Sequence, residues 1–166
     1  MTKRIFFRPE RCMLCSSCVL ACQLHSLGIS DVRNIPRGKK PIQRISVNMS
    51  QGTPWASTCQ HCVSAPCVEA CVTGSLARGD GQTGVVHHQE TCVGCGSCLL
   101  VCPFSALAYD EKGEKMSKCN LCSEEEVPPC VRACPSKALV CRKPDVFVSE
   151  KKRQFAKEMR RFHEAN

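Results

Sequence analysis

Twelve residues carry the densest chemistry in this chain. Between Cys92 and Pro103 stand four cysteines, Cys92, Cys95, Cys98 and Cys102, separated by two, two and three residues and followed at once by proline. That spacing suits ligation of cubane iron–sulfur clusters. Three thiolates on one tight loop can cap three irons of a single cubane. The fourth, expected farther along where a short helix begins, is available to a second one. Gly94 and Gly96 suit a backbone that curls around such a group, because glycine tolerates positive φ. Pro103 closes the segment, having no N–H to donate.

The pattern occurs four times in variant form. Cys12, Cys15, Cys18 and Cys22 repeat the same spacing. Cys59, Cys62, Cys67 and Cys71 are spaced two, four and three, with the loop enlarged within Val63 to Pro66. Cys119, Cys122, Cys130 and Cys134 have a middle gap of seven residues, Ser123 to Pro129, and Pro135 follows the last. Zinc competes for any C-x2-C pair, but it takes four ligands in two pairs, usually well separated. Nothing in zinc coordination requires a last gap that is always three. Sixteen cysteines accommodate four [4Fe–4S] clusters with no ligand missing, so neither a three-iron nor a labile catalytic cluster is indicated. The seventeenth, Cys141, has no C-x-x-C companion and is expected to be a small buried residue outside the ligand set. His25 and His61 are expected as capping or hydrogen-bonding side chains rather than ligands.

The compartment supports metal over disulfides. Met1 to Arg4 is followed by only three apolar residues, Ile5 to Phe7, far short of a signal-peptide core. No stretch approaches a membrane span, and no twin-arginine signal is present. The expectation is a cytoplasmic protein, where thiols stay reduced and clustered cysteine usually means metal. The net charge of +8 invites a nucleic-acid reading, but it counts every cysteine as neutral. Ligand thiols are deprotonated outright, so the basic excess mostly balances the cofactors and no nucleic-acid role is expected.

The elements that position these cysteines can be read in outline. Arg4 to Arg8 reads as a first strand ending at Pro9, and Cys18 to Leu27 as a helix with Gly28 just past its end. Residues 29–41 form a basic linker. Residues 42–49 alternate, with Ile45, Val47 and Met49 on one face, which argues a half-buried strand. Trp55 is expected to pack or to shield a cluster from water. Gly79 to Gly84 fits G-x-G-x-x-G, but that fingerprint needs a strand before it and a helix after it. Ser75 to Arg78 and Val85 to His88 instead read as two strands around a turn. Phe104 to Tyr109 and Glu114 to Met116 repeat the hairpin around Asp110 to Gly113, and Ala138 to Cys141 makes a closing strand. Residues 149–166 read as a basic amphipathic helix whose stripe of Phe155, Met159 and Phe162 needs an apolar cover, on this chain or on a partner.

Taken together, the order of the motifs, the loose second and fourth copies and the intervening hairpins resemble the four-cluster ferredoxin-like subunits of anaerobic oxidoreductases. Formate dehydrogenase and dimethyl sulfoxide reductase have iron–sulfur subunits of this type. The opening run from Arg11 to Cys22 and the compact basic tail most resemble the iron–sulfur partner of nickel carbon monoxide dehydrogenase. The resemblance implies an α+β fold of two bacterial-ferredoxin-like two-cluster modules, nested in sequence, with a C-terminal helix. One module would comprise 1–28 plus 117–145, the other 42–116. It further implies that Cys12, Cys15 and Cys18 share a cluster with Cys134, and Cys119, Cys122 and Cys130 with Cys22. Likewise Cys59, Cys62 and Cys67 would share one with Cys102, and Cys92, Cys95 and Cys98 with Cys71. Spacing alone permits sequential pairing of the motifs as well.

The function expected is electron transfer without substrate chemistry, since no nucleophile–base set, flavin site or open metal position stands out. The resemblance implies a catalytic partner, carbon monoxide dehydrogenase first and a molybdenum or tungsten oxidoreductase such as formate dehydrogenase second. The downstream acceptor would be a hydrogenase or a flavin-dependent reductase. A zinc-binding interaction module is the remaining alternative. The chain has no hydrophobic tail of its own, so no direct membrane insertion is expected.

Overall fold

The computed structural model describes residues 3–38, 40–79, 84–110 and 114–164. Among the described residues the chain is a mixed α+β protein built from four two-stranded antiparallel sheets and five α-helices. The first sheet joins the two ends of the cysteine-bearing region. Strand β1 (Arg4–Phe7) pairs with β8 (Leu139–Arg142), Ile5 opposite Cys141 and Phe7 opposite Leu139. The other three sheets are hairpins: β2 (Ile45–Ser50) with β3 (Thr53–Thr58), β4 (Leu76–Arg78) with β5 (Val85–His87), and β6 (Leu107–Asp110) with β7 (Lys115–Lys118). The fingerprint residues 80–83 and the turn residues 111–113 lie outside the described residues.

Four helices are short and each carries a third cysteine. They are α1 (Ser17–Ser26), α2 (Pro66–Glu69), α3 (Ser97–Val101) and α4 (Pro129–Arg132). Each helix therefore begins one residue before the third cysteine, not at the fourth as the spacing first suggests. Cys102 is the C-cap of α3, whereas Cys22 stays inside the longer α1. Helix α1 ends in a Schellman arrangement: Gly28 (φ 68°) and Ile29 donate their N–H groups to the carbonyls of His25 and Leu24.

Two apolar cores organise the rest. Ile5, Cys18, Ile45, Cys119, Cys130 and Leu139 form one; Ala65, Leu76, Val85, Cys98 and Met116 form the other. Helix α1 packs on α4, and α2 on α3. The β2–β3 hairpin contributes Ile45 and Val47 to the first core, so this part of 42–116 packs with the first and last motifs. Serine hydroxyls tie the halves together: Ser57 Oγ donates to the carbonyls of Phe104 and Ser105, and Arg44 Nε donates to Ser117 Oγ at 2.9 Å.

Helix α5 (Pro144–Glu164) starts five residues earlier than its stripe suggests, with proline in its first turn, a position where the missing N–H costs nothing. It docks through Phe147, which stacks on Phe6 with ring centroids 4.1 Å apart, beneath the Arg8 guanidinium. Phe155, Met159 and Phe162 remain 63%, 37% and 63% exposed, so this chain leaves that stripe largely uncovered. No helix among the described residues is long and apolar enough to cross a membrane.

Candidate iron–sulfur sites

The residue before the second cysteine of every motif adopts positive φ: Leu14 at 56°, His61 at 47°, Gly94 at 68° and Leu121 at 63°. This left-handed step bends each C-x-x-C so that its two thiols face the same side. The compact loops then use a second left-handed residue, Ser16 or Gly96, as the helix N-cap. The enlarged loops instead place proline, Pro66 or Pro129, at the start of the helix, where its fixed φ is already helical. After three of the fourth cysteines the chain turns through Gly74, Ser105 or Lys137, each with positive φ and each donating its N–H to that cysteine's carbonyl.

The sixteen motif cysteines line four small cavities. Cys12, Cys15, Cys18 and Cys134 meet in one, with Phe7, Val47 and Leu139 around them. Cys22, Cys119, Cys122 and Cys130 meet in a second, with Ile5, Arg44 and Ile45. Cys59, Cys62, Cys67 and Cys102 meet in a third, with Val85, Leu107 and Lys118. Cys71, Cys92, Cys95 and Cys98 meet in the fourth, with Leu76, His87 and Met116. Each cavity thus takes three cysteines from one motif and the last cysteine of another.

Neighbouring cavities are electrostatically in touch. The Cys18 and Cys130 thiols interact between the first and second, Cys59 and Cys119 between the second and third, and Cys67 and Cys98 between the third and fourth.

The donor set fits iron–sulfur clusters. None of the seventeen cysteines forms a disulfide. Burial pushes the Cys18 and Cys98 thiols up to about 11 and Cys122 up to about 12, with Cys119 and Cys22 adding to the rise at Cys122. Cys130 is raised further, by burial first and then by Cys119, Cys22, Cys122 and Cys18. Ionising the raised thiols of Cys18, Cys98, Cys122 and Cys130 is costly in these apolar surroundings, and a cationic metal core would supply the missing compensation. Donors to sulfur are also in place. The amide N–H of Leu76 donates to Cys71 Sγ and that of Leu121 to Cys119 Sγ, both at 3.3 Å. Hydroxyls beside the exposed Cys15 and Cys95, from Ser17 and Ser97, lower those two thiols.

The remaining candidates lie outside the sulfur cages. Cys141 is half-buried on β8 and lines none of the four cavities. Trp55 is 41% exposed on β3 and likewise lines none of them. His25 Nε2 pairs with Glu124 at 3.0 Å at the rim of the second cavity. His61 is buried, and its side chain lies so close to Gly84 that a Cβ there would sit 2.6 Å from the His61 Cβ. Sequence reasoning missed Lys118, a buried cation at the wall of the third cavity. Burial lowers its pKa, while Cys59, Cys119 and Cys67 act in the opposite sense. Its only signal was a lysine immediately before a ligand cysteine.

Cysteines gathered in fours in apolar cavities define an iron–sulfur electron-transfer protein. A family model described as a 4Fe-4S dicluster domain matches residues 52–143, more than half of the chain, and the chain belongs to that family. It is 32% identical to an iron-sulfur protein of Rhodospirillum rubrum, over 96% of this chain and 92% of that one. It is 34% identical to an uncharacterized ferredoxin of Methanocaldococcus jannaschii, over 82% of this chain and 70% of the relative. It is also 30% identical to the electron transport protein HydN of Escherichia coli, over 94% of this chain and 98% of the relative.

Proposed function

We propose that the chain is an electron-transfer subunit carrying four [4Fe–4S] clusters, one in each four-cysteine cavity. The observation that carries this reading is the meeting of all sixteen motif cysteines in four sets of four. When bound, such clusters take up and release single electrons. The chain's own part is to ligate them through cysteine, to donate hydrogen bonds to sulfur from Leu76 and Leu121, and to exclude water with apolar walls. Burial and hydrogen bonds to sulfur set the potential of such centres. Cys18, Cys59, Cys119 and Cys130 share one apolar cluster and Cys67 and Cys98 the other, which supports a row running from the Cys92 set through the Cys59 and Cys119 sets to the Cys12 set. In this reading the chain folds as two nested modules. The pairing of β1 with β8 and the packing of α1 on α4 favour that arrangement.

The partner is a catalytic oxidoreductase subunit. Resemblance in the Arg11–Cys22 run and the basic tail favours nickel carbon monoxide dehydrogenase, with a hydrogenase or flavin-dependent reductase as acceptor. At the Cys12 end of the row, Arg11, Arg153, Lys157 and Arg161 line one groove with Glu150 and Glu158, a surface suited to an acidic protein.

Iron and acid-labile sulfide analysis of anaerobically purified protein tests the cofactor, with about 16 iron atoms per chain expected from four cubanes. An anaerobic pull-down with metal analysis of the co-purifying protein tests the donor. Nickel with iron supports carbon monoxide dehydrogenase, whereas molybdenum or tungsten moves the chain to the formate dehydrogenase type.

A further inference from the structure

Strand β7 delivers two consecutive polar residues into the middle of the molecule. Ser117 is 1% exposed and Lys118 is 4% exposed. A lysine so deeply buried is rare unless something compensates its charge. Lys118 Nζ donates to the Val85 carbonyl at 2.6 Å and to the Cys119 carbonyl at 2.7 Å. Both acceptors are neutral, and no carboxylate pairs with the ammonium among the described residues. The third N–H has no acceptor among them either. Lys118 lines the cavity of Cys59, Cys62, Cys67 and Cys102 and directly precedes Cys119, which lines the neighbouring one. These thiols belong to two different cavities.

Arg44 stands on the other side of the same region. Its guanidinium lines the Cys22–Cys119–Cys122–Cys130 cavity and is held by Ser117 Oγ. The Cys22 and Cys122 thiols both feel its charge. Two cations are therefore fixed, through neighbouring residues of one strand, at the two inner members of the row.

Building on the four-cluster reading, we propose that Lys118 and Arg44 are positioning residues that set the redox potentials of the two inner clusters. A fixed positive charge in a low-dielectric setting stabilises the reduced, more negative state of a nearby one-electron centre. The inner clusters then hold an electron more readily than they would between apolar walls. Among the described residues, the outer cavities, lined by the Cys12 and Cys92 sets, have no such lysine in their walls. The anionic clusters in turn supply the compensation that the buried ammonium lacks among the protein groups around it.

Redox titration of the iron-loaded protein, followed by electron paramagnetic resonance, tests this with K118M, K118R and R44M. Iron content is measured on every sample. In K118M, at a fixed potential, the reduced-to-oxidised ratio of two of the four centres is expected to fall at least tenfold, about 59 mV for one electron. R44M is expected to lower at least one of the same two centres. K118R keeps the charge and is expected to stay within about threefold of the parent, about 28 mV by the same conversion. Full iron with all midpoints unmoved in K118M and R44M overturns the inference and leaves the four-cluster reading standing. An equal fall in K118R and K118M also overturns it, because packing rather than charge would then be responsible. Should K118M fail to load iron, R44M, whose side chain is only partly buried, decides by the same criterion. A parent chain that binds no iron overturns the four-cluster reading itself.

Discussion

At the scale of single residues, the conformation of each cysteine loop rests on the left-handed residue before its second cysteine. Only one of the four is glycine, and there the reason is contact as well as φ. A Cβ on Gly94 would sit 2.0 Å from the Glu114 carbonyl oxygen, at the start of β7, whereas one on Gly96 would meet nothing within 4 Å. G96A therefore carries only the left-handed penalty of about 1–2 kcal/mol. G94A adds displacement of backbone, about 1–3 kcal/mol more. Thermal melts of the iron-loaded variants are expected to rank G94A well below G96A, and equal melting temperatures would count against the contact argument. C98A removes a ligand outright. It is expected to lower iron from about 16 to about 12 atoms per chain and to stop electron transfer across the molecule. Full iron with undiminished transfer would sink the assignment of Cys98. The ligand spacing was legible in the sequence because chemistry demands cysteine and nothing else. The left-handed step was legible only at Gly94, since Leu14, His61 and Leu121 accept the same strain with side chains that do not advertise it.

At the scale of elements, helix α5 shows what holds a segment that contributes no cysteine. Among the described residues three ion pairs reach it, Arg8–Glu150 at 3.3 Å, Arg142–Glu150 at 3.5 Å and Lys151–Glu10 at 3.1 Å. Pairs of this partly exposed kind contribute about 0–1 kcal/mol each. The Phe6–Phe147 stack adds about 0.5–1.5 kcal/mol beyond its buried area. F147A is therefore expected to speed hydrogen exchange along α5 more than E150A does, while iron content stays at the parent level. The reverse order would mean that the ion pairs anchor the helix. The stripe of Phe155, Met159 and Phe162 was legible as amphipathic, but the helix start was not. Pro144 and Asp145 form an ordinary first turn, yet the apolar period that announces a helix begins only later. The β2–β3 hairpin was half legible. Its turn residues Gln51 and Gly52 both have positive φ (48° and 78°), as a two-residue hairpin turn requires. Pro54 opposite Met49 concealed the second strand, because proline lacks the N–H that a ladder needs.

At the scale of the whole molecule, the closing pair β1–β8 brings the first and last motifs side by side, and that long-range choice has magnetic consequences. Cysteine spacing left both nested and sequential partnerships open; what separates them is which strands pair across the length of the chain, and local sequence does not encode that. In the proposed row, a reduced cluster in the Cys92 cavity has one neighbour, in the Cys59 cavity. C59A would remove that neighbour. The fully reduced variant is then expected to show one magnetically isolated centre alongside a coupled pair in the Cys119 and Cys12 cavities. C98A removes an end of the row instead and leaves three contiguous centres, so no isolated spectrum is expected from it. Iron analysis showing about 12 atoms per chain in each variant establishes that a single cluster was lost. An isolated centre in C98A, or none in C59A, would reject the order. An isolated centre in C59A and none in C98A would support the order Cys92, Cys59, Cys119, Cys12 along the molecule, with Lys118 and Arg44 at its midpoint.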